Sequence, residues 1–335
     1  MARVTLRDVA AASGVHLSTV SRVIRGDTTR IRPETVARVW KHAGSLGYRT
    51  DLWAASLRSG RTNIIGMLVP RITDVVLATV FESLEEEAAR NDYLVLVAST
   101  WDASDKRRAA LERFVARRVD GVVIADAQVS DSDVQEIADR GLPVLLVSRR
   151  TGELPFVNGD DRGGGAQAGE HLAQLGARDV VVIGGPDYAS TSRDRAGGFV
   201  DAFRRAAPDG EVRVIPAGFD VESGSRVMQG LVEDGRPDGV FVVNDFAAIG
   251  AMSTMVNAGI RPGRDIAVVG YNDIPISSRL ATPLSSVRAD LPAMGRAAFH
   301  AIRQLIDGQA VESTFVATEL VVRESSAAFV APVAG

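Results

Sequence analysis

Between His16 and Arg25 the chain gathers an imidazole, a leucine, two hydroxyls and two guanidiniums: His16, Leu17, Ser18, Ser21, Arg22 and Arg25. Their spacing puts them on the outer face, or at the N-terminal end, of a single short helix. Groups of these types hydrogen-bond base edges and phosphates, and one arginine can take both guanine acceptors, O6 and N7. A second set of polar residues closes apolar runs farther along. Ser148 ends LPVLLVS, Asn244-Asp245 ends DGVFVVND, and Asn272-Asp273 ends IAVVGYND. Amides, hydroxyls and carboxylates at strand ends suit a small polar ligand. Other chemistry lacks its residues. There is no cysteine, which excludes disulfides, thiolate metal sites and cysteine nucleophiles. The histidines His16, His42, His171 and His300 have no metal-ligand spacing, and no Lys-Ser/Thr follows Gly163–Gly165 as a phosphate cradle requires. No nucleophile-elbow motif accompanies the serines. Neither a catalytic constellation, a metal nor a cofactor is expected.

The elements that must position the first set are written around it. Thr5 precedes Leu6 as an N-cap whose hydroxyl accepts an orphan N–H, and Asp8 suits the positive end of that helix. Leu6, Val9 and Ala10 share its inner face, Gly14 permits a tight turn, and Val15 packs beneath it. A second helix is expected over Leu17–Arg25 with Val20, Val23 and Ile24 inward. Arg32-Pro33-Glu34 opens a third, proline standing where its missing N–H costs nothing, with Val36, Val39, Ala43 and Leu46 continuing the core. Helix, turn and helix in this order present the outer residues of the second helix to a major groove. Charge agrees with that use. Residues 1–62 carry eleven Lys/Arg against four Asp/Glu, while the remainder carries 27 against 38. A basic head on an acidic body reads as a polyanion-binding module attached to a domain with another task.

The chain of 335 residues is long enough for two or three domains. From Ile64 onward, runs such as IIGMLV, YLVLVAS, DGVVIAD, LPVLLVS, DVVVIGG, VRVIPA, DGVFVVND and IAVVGYND alternate with helix-length stretches, among them Val80–Asn91, Lys106–Arg118 and Gly163–Leu175. Continuous Val/Ile/Leu runs indicate parallel strands buried on both faces, and two successive βα sets imply two doubly wound subdomains.

VTLRDVAAASGV, STVSRVIRG and TVARVWKHAGSLGYR together resemble the DNA-binding head of the lactose-repressor (LacI/GalR) family of bacterial transcription factors, and the match continues through AASLRSGRTNIIG into the body. The resemblance implies Leu17, Ser18 and Arg22 at base-reading positions, His16 at the helix mouth, and Thr5 and Ser21 on phosphates. It implies a hinge at residues 50–62 in which Leu57 wedges into the minor groove. Thr50, Asp51 and Ala55 depart from the hinge residues common in the family. For the body it implies a periplasmic-binding-protein-like pair of subdomains joined by three crossovers. The expected domains are residues 1–49 for the helix-turn-helix, 50–62 for the hinge and 63–335 for the body. Within the body, about 63–158 and 288–317 form the first subdomain, and about 159–287 and 318–335 the second. Arg193, Asn244, Asn272 and Phe219 align with effector-contacting positions, Asn272 standing where the family usually has aspartate. Arg71 and Asp74 lie in a first-strand loop that lacks the family's aromatic stack, and Ser148 stands where an acid is frequent. With fewer acids and an added arginine, a phosphorylated or anionic sugar is as well accommodated as a neutral one.

The expected function is a sequence-specific, DNA-binding regulator, a repressor, that binds a pseudo-palindromic operator as a homodimer under control of a sugar-like metabolite. The start, MARVTLRDVA, has no apolar h-region and no run is long enough to span a membrane, so the chain reads as cytoplasmic, nucleoid-associated when on DNA. The C-terminal SAAFVAPVAG carries no leucine heptads, which disfavours a coiled-coil tetramer. A solute-binding protein for a transporter fits the body alone and is opposed by the basic head. A sugar-acting enzyme lacks its catalytic residues.

Overall fold

A computed structural model of the chain describes residues 4–24, 26–48 and 60–329, which fall into two compact units, Met1–Thr62 and Asn63–Gly335. In the first, α1 (Leu6–Ser13), α2 (Leu17–Ile24) and α3 (Pro33–Ser45) pack around Val9, Val20, Val23, Val39 and Ala43, all buried. Thr5 caps α1 reciprocally: its hydroxyl accepts the Asp8 N–H, and the Asp8 carboxylate accepts the Thr5 N–H at 2.7 Å. Gly14 turns the chain toward α2 at φ +66°, a left-handed conformation that a Cβ would oppose. Leu46, expected in this core, is 38% exposed because it is the C-cap of α3, where the chain leaves the helix.

The second unit contains two six-stranded sheets. The first is built from β1 (Ile64–Val69), β2 (Leu94–Ser99), β3 (Gly121–Ile124), β4 (Val144–Val147), β5 (Phe156–Gly159) and β11 (Thr314–Val316), in the order β11-β5-β4-β3-β1-β2. All its pairs are parallel. The second is built from β6 (Asp179–Ile183), β7 (Glu211–Ile215), β8 (Gly239–Val242), β9 (Ala267–Asn272), β10 (Ser285–Ala289) and β12 (Thr318–Val321), in the order β12-β10-β9-β8-β6-β7. Each sheet is covered on both faces. Helices α4 (Val75–Arg90) and α11 (Leu291–Ile306) bury Val80, Leu84, Phe299 and Ile302 against one side of the first sheet. Helices α5 (Ser104–Ala116) and α6 (Ser132–Asp139) bury Leu111, Phe114 and Ile137 against the other. In the second sheet, α7 (Asp161–Gln174) and α8 (Ser190–Ala206) occupy one face, and α9 (Val221–Asp234) and α10 (Asp245–Asn257) the other. A short α12 (Glu324–Ala327) follows β12.

The chain passes between the sheets at Asp160, Asp290 and Ala317. These positions shift the expected boundaries slightly. Gly159 belongs to the first sheet, where it pairs with Val316, and Arg288 belongs to the second, where it pairs with Asn272 and Glu319. The sheets are parallel as expected except at one edge of the second, where β12 runs antiparallel to β10. The cause is topological: β11 ends at the inter-subdomain face, so one connecting residue delivers the chain to the second sheet from its C-terminal end.

Glycines let the paired helices of the second subdomain approach closely. A Cβ at Gly165 would lie 2.1 Å from the Arg195 carbonyl oxygen, and one at Gly250 would lie 1.9 Å from that of Val221. Both obstacles are main chain, so the helices themselves must separate. Gly230, also helical, has nothing within 4 Å of its Cβ position. Gly165→Ala and Gly250→Ala are expected to destabilise the body by about 1–3 kcal/mol or more, whereas Gly230→Ala stabilises it by about 0.5–1 kcal/mol. Denaturant midpoints of the three variants test the ranking, which equal midpoints contradict.

Candidate functional site

The outer face of α2 carries the residues singled out in the head. His16, Leu17 and Ser18 are exposed, and Ser21 and Arg22 are half-buried. The His16 Nδ1 accepts the Ser18 N–H at 3.3 Å and lies 2.7 Å from its hydroxyl, so the imidazole caps the start of α2 and orients Ser18. With Nδ1 accepting, a neutral ring carries its proton on Nε2. Arg22 donates through Nε and Nη2 to the two carboxylate oxygens of Asp27, at 2.9 and 3.4 Å. The hydrogen bonds and charge of Asp27 raise the Arg22 guanidinium above its ordinary value, so it is fully charged. The Thr5 hydroxyl is engaged with Asp8 at 2.7 Å. Arg25 and Leu57 lie outside the described residues, as do Thr50, Asp51 and Ala55.

In the second unit, the C-terminal ends of β1, β2 and β4 face those of β6, β7 and β8 across a cavity of about 480 Å³. Arg71, Asp74, Asp102 and Arg149 line it from the first subdomain, and Tyr188, Phe219, Asp220, Glu222 and Phe246 from the second. Asp74 is the N-cap of α4, its carboxylate accepting the Val76 N–H at 2.9 Å. Burial raises its carboxyl, and the Val76 and Leu77 N–H groups and the Arg149 charge pull the other way. Arg71 lies over the Trp101 ring, 4.6 Å from its centroid. Phe219 lies against Gly185, where a Cβ would strike its ring at 2.4 Å, so glycine there leaves room for the ring.

Behind the cavity lies a recess of about 10 Å³ lined by Ser148, Asp161, Arg195 and Asn272. It has barely room for one water. Protein fills it: the Arg195 Nε donates to Asp161 at 2.7 Å, Nη1 donates to the Val243 carbonyl at 2.8 Å, and the guanidinium lies 3.8 Å from the Tyr271 ring centroid. Burial drives the Asp161 carboxyl up while Arg195 draws it down, and Asp161 in turn keeps Arg195 charged. Non-glycine residues with left-handed backbone cluster at these strand ends: Trp101, Asp102, Ser148, Asn272 and Asp273, at φ between +50° and +105°. Such conformations carry strain that the surroundings must hold in place. For the loop after β9 the restraint is Asp245, whose buried carboxylate accepts the Ile274 N–H and the hydroxyls of Ser277 and Ser286. Burial pushes that carboxyl to about 6, against these donors.

The two subdomains are tied along one edge of the cleft. Arg149 forks onto Asp102 at 2.5 and 3.3 Å, and the Tyr188 hydroxyl donates to the same Asp102 at 3.2 Å. Arg150 donates to both carboxylate oxygens of Asp194 at 2.7 and 2.9 Å, its N–H meets the Ser190 hydroxyl, and the Val129 N–H meets the Tyr188 carbonyl.

The structure thus gathers Arg71, Asp74 and Phe219 at the cavity and Ser148 and Asn272 at the recess, but not Arg193 or Asn244. Arg193 is exposed and donates through Nε to the Asp187 carbonyl; Arg195, two residues on, is the arginine that faces inward. Two residues correspond to about 200° around a helix, so an offset of two exchanges buried for exposed. Asn244 caps α10, its side-chain oxygen accepting the Phe246 and Ala247 N–H groups. Asp102, Arg149, Tyr188 and Glu222 were not anticipated. The signal available was a charged residue directly after an apolar run, as Arg149 follows LPVLLVS.

A model of bacterial regulatory proteins of the lacI family matches residues 5–51, and a periplasmic binding protein-like domain model matches residues 170–326. The chain is 30% identical over 332 residues to the HTH-type transcriptional regulator DegA of Bacillus subtilis, covering 97% of this chain and 98% of that protein. It is 29% identical over 317 residues to the HTH-type transcriptional repressor PurR of Klebsiella pneumoniae, covering 92% of each. Among solved structures, the lac repressor dimer bound to operator and the anti-inducer ONPF superposes with a TM-score of 0.87 at 25% identity, covering 97% of this chain and 99% of that one. The transcriptional regulator CelR–cellobiose complex gives 0.72 at 27% identity, covering 96% and 100%. A helix-turn-helix head and a two-lobed body with a cleft at its strand ends define a DNA-binding regulator under ligand control. The chain belongs to the lacI family of bacterial regulatory proteins. The relatives named here are regulators, not enzymes. Among the described residues, no helix is long and apolar enough to cross a membrane.

Proposed function

We propose that this chain represses transcription from a pseudo-palindromic operator, which a homodimer reads with α2 of each head in successive major grooves. Leu17, Ser18 and Arg22 read bases, with His16 holding Ser18, while Thr5, Ser21 and Arg25 bind phosphates or the helix flank. Leu57, in a hinge over residues 50–62, wedges into the minor groove. Regulation on DNA places the protein in the cytoplasm, on the nucleoid when bound. The observation that carries the reading is the outward set on α2, charged and capped, in a head with seven more basic than acidic residues over its 62 positions.

The effector occupies the cavity between the subdomains. Of the two classes the sequence left open, the lining favours the neutral sugar: with Arg149 and Asp102 paired to each other, the carboxyl groups of Asp74, Asp220 and Glu222 stand against the guanidinium of Arg71. Carboxylates that accept hydroxyl hydrogens, beside the face of Phe219, suit a neutral polyhydroxylated ligand. Cellobiose in CelR supports the same class.

Selection of bound duplexes from fragmented genomic DNA, at fixed salt because the phosphate contribution shifts affinity by orders of magnitude, tests the regulator reading. The expected product is one two-fold-symmetric sequence. Enrichment of unrelated fragments contradicts the reading.

A further inference from the structure

Asp27 pairs with Arg22, the arginine read as facing DNA, on the open side of the head. Its position is fixed by the way α2 ends. Gly26, at φ +80°, donates its N–H to the Val23 carbonyl at 3.0 Å, and the Asp27 N–H reaches back to the Arg22 carbonyl at 3.0 Å. This pair of bonds is a Schellman ending, in which a left-handed glycine folds the next residue back over the last turn. Main-chain geometry therefore brings the Asp27 carboxylate alongside the Arg22 side chain, and the Thr29 hydroxyl adds a bond to the same carboxylate at 3.2 Å.

The contact is made side-on. Asp27 accepts from Nε at 2.9 Å and from Nη2 at 3.4 Å. A guanidinium has five N–H groups in a rigid plane. The side-on fork uses the Nε–H and one Nη2–H, and leaves one Nη1–H and the second Nη2–H together at the far end. Those end-on donors are the ones that match guanine O6 and N7. A guanidinium held at one edge points its other edge in one direction, so less freedom is lost when it meets a base. The carboxylate also carries a negative charge on a face that approaches phosphates. That charge weakens complexes held by phosphates alone, without a base to repay it.

We propose that Asp27 is a positioning residue for base reading: it aims Arg22 at one base pair and penalises non-specific binding, so it sets the ratio of operator to non-operator affinity. The proposal rests on the reading of α2 as the groove-entering helix.

The test uses fluorescence anisotropy of the full chain at fixed salt. Its probes are the selected operator, a panel with each base pair replaced in turn, and an unrelated duplex. Arg22→Ala identifies the base pair whose replacement ceases to matter. Asp27→Asn is expected to reduce the penalty at that same base pair by about tenfold and to tighten the unrelated duplex by about threefold to tenfold. Asp27→Glu keeps the charge but displaces the fork, so it lowers the base penalty while leaving the unrelated duplex weak. In Arg22→Ala, adding Asp27→Asn flattens the profile no further. A penalty within twofold of the parent in Asp27→Asn overturns the proposal. A base profile unchanged in Arg22→Ala overturns the groove reading, and the proposal with it.

Discussion

Asp161→Ala is expected to cost the body about 3–5 kcal/mol of stability, because it strands the buried Arg195 guanidinium without its counter-charge in a recess with room for one water at most. In the parent, Arg195 spends its donors on Asp161 and the Val243 carbonyl while its face covers the Tyr271 ring. Removing the carboxylate leaves a buried charge without its counter-charge, which is the costly half of a broken pair. The loss is on the order of 10 °C in Tm for a body of this size. Asp161→Ala combined with Arg195→Met removes both charges and keeps an apolar filling, so most of the stability returns. Denaturant unfolding of both variants distinguishes the outcomes. A single variant within about 1 kcal/mol of the parent contradicts a buried pair.

Arg22→Ala is expected to weaken operator binding by about 10- to 100-fold and to relax selectivity at one base pair per half-site. Ser18 and Leu17 remain to read neighbouring positions, so selectivity elsewhere persists. A phosphate-binding arginine behaves differently: its loss weakens all sequences alike and lowers the dependence on salt. Competition with an unrelated duplex separates the two roles. Parallel loss of operator and unrelated-duplex affinity assigns Arg22 to the backbone instead.

Much of the head was legible from residue spacing. Thr5, Gly14 and Pro33 act through their own local backbone, so their consequences follow from neighbours within four positions. The fully buried strands were legible for a similar reason, since runs such as Val144–Val147 are apolar on both faces. The strands at crossovers were not. β5, β10 and β11 mix polar with apolar residues, and the chain crosses between subdomains directly after each. The cleft divides in the same way. That it lies at strand ends follows from a parallel sheet, and Phe219, Arg71 and Asp74 are found there. Which arginine of the 193–195 segment turns inward depends on the phase of α8 and on Asp161, more than thirty residues away. The Asp102–Arg149 pair joins residues 47 apart, and its contact with Tyr188 belongs to the opposite subdomain. No local pattern encodes either.

In the proposed reading, the bonds that cross between the subdomains, such as that from Tyr188 to Asp102, give the cleft its means of control. Arg149, Asp102 and Tyr188 line the cavity and tie its walls together, so a ligand that fills it must compete with or reinforce those ties. A ligand shifts the equilibrium only by its differential affinity for the two arrangements. The central claim is that occupation of this cavity and binding of operator are one coupled equilibrium. The direct measurement takes a neutral mono- or disaccharide that raises the Tm of the chain and titrates operator with and without it at saturation. The account predicts a change in operator affinity of about 5- to 150-fold, and an equal change in sugar affinity when operator is present. A sugar that binds the cavity and leaves operator affinity unchanged contradicts it.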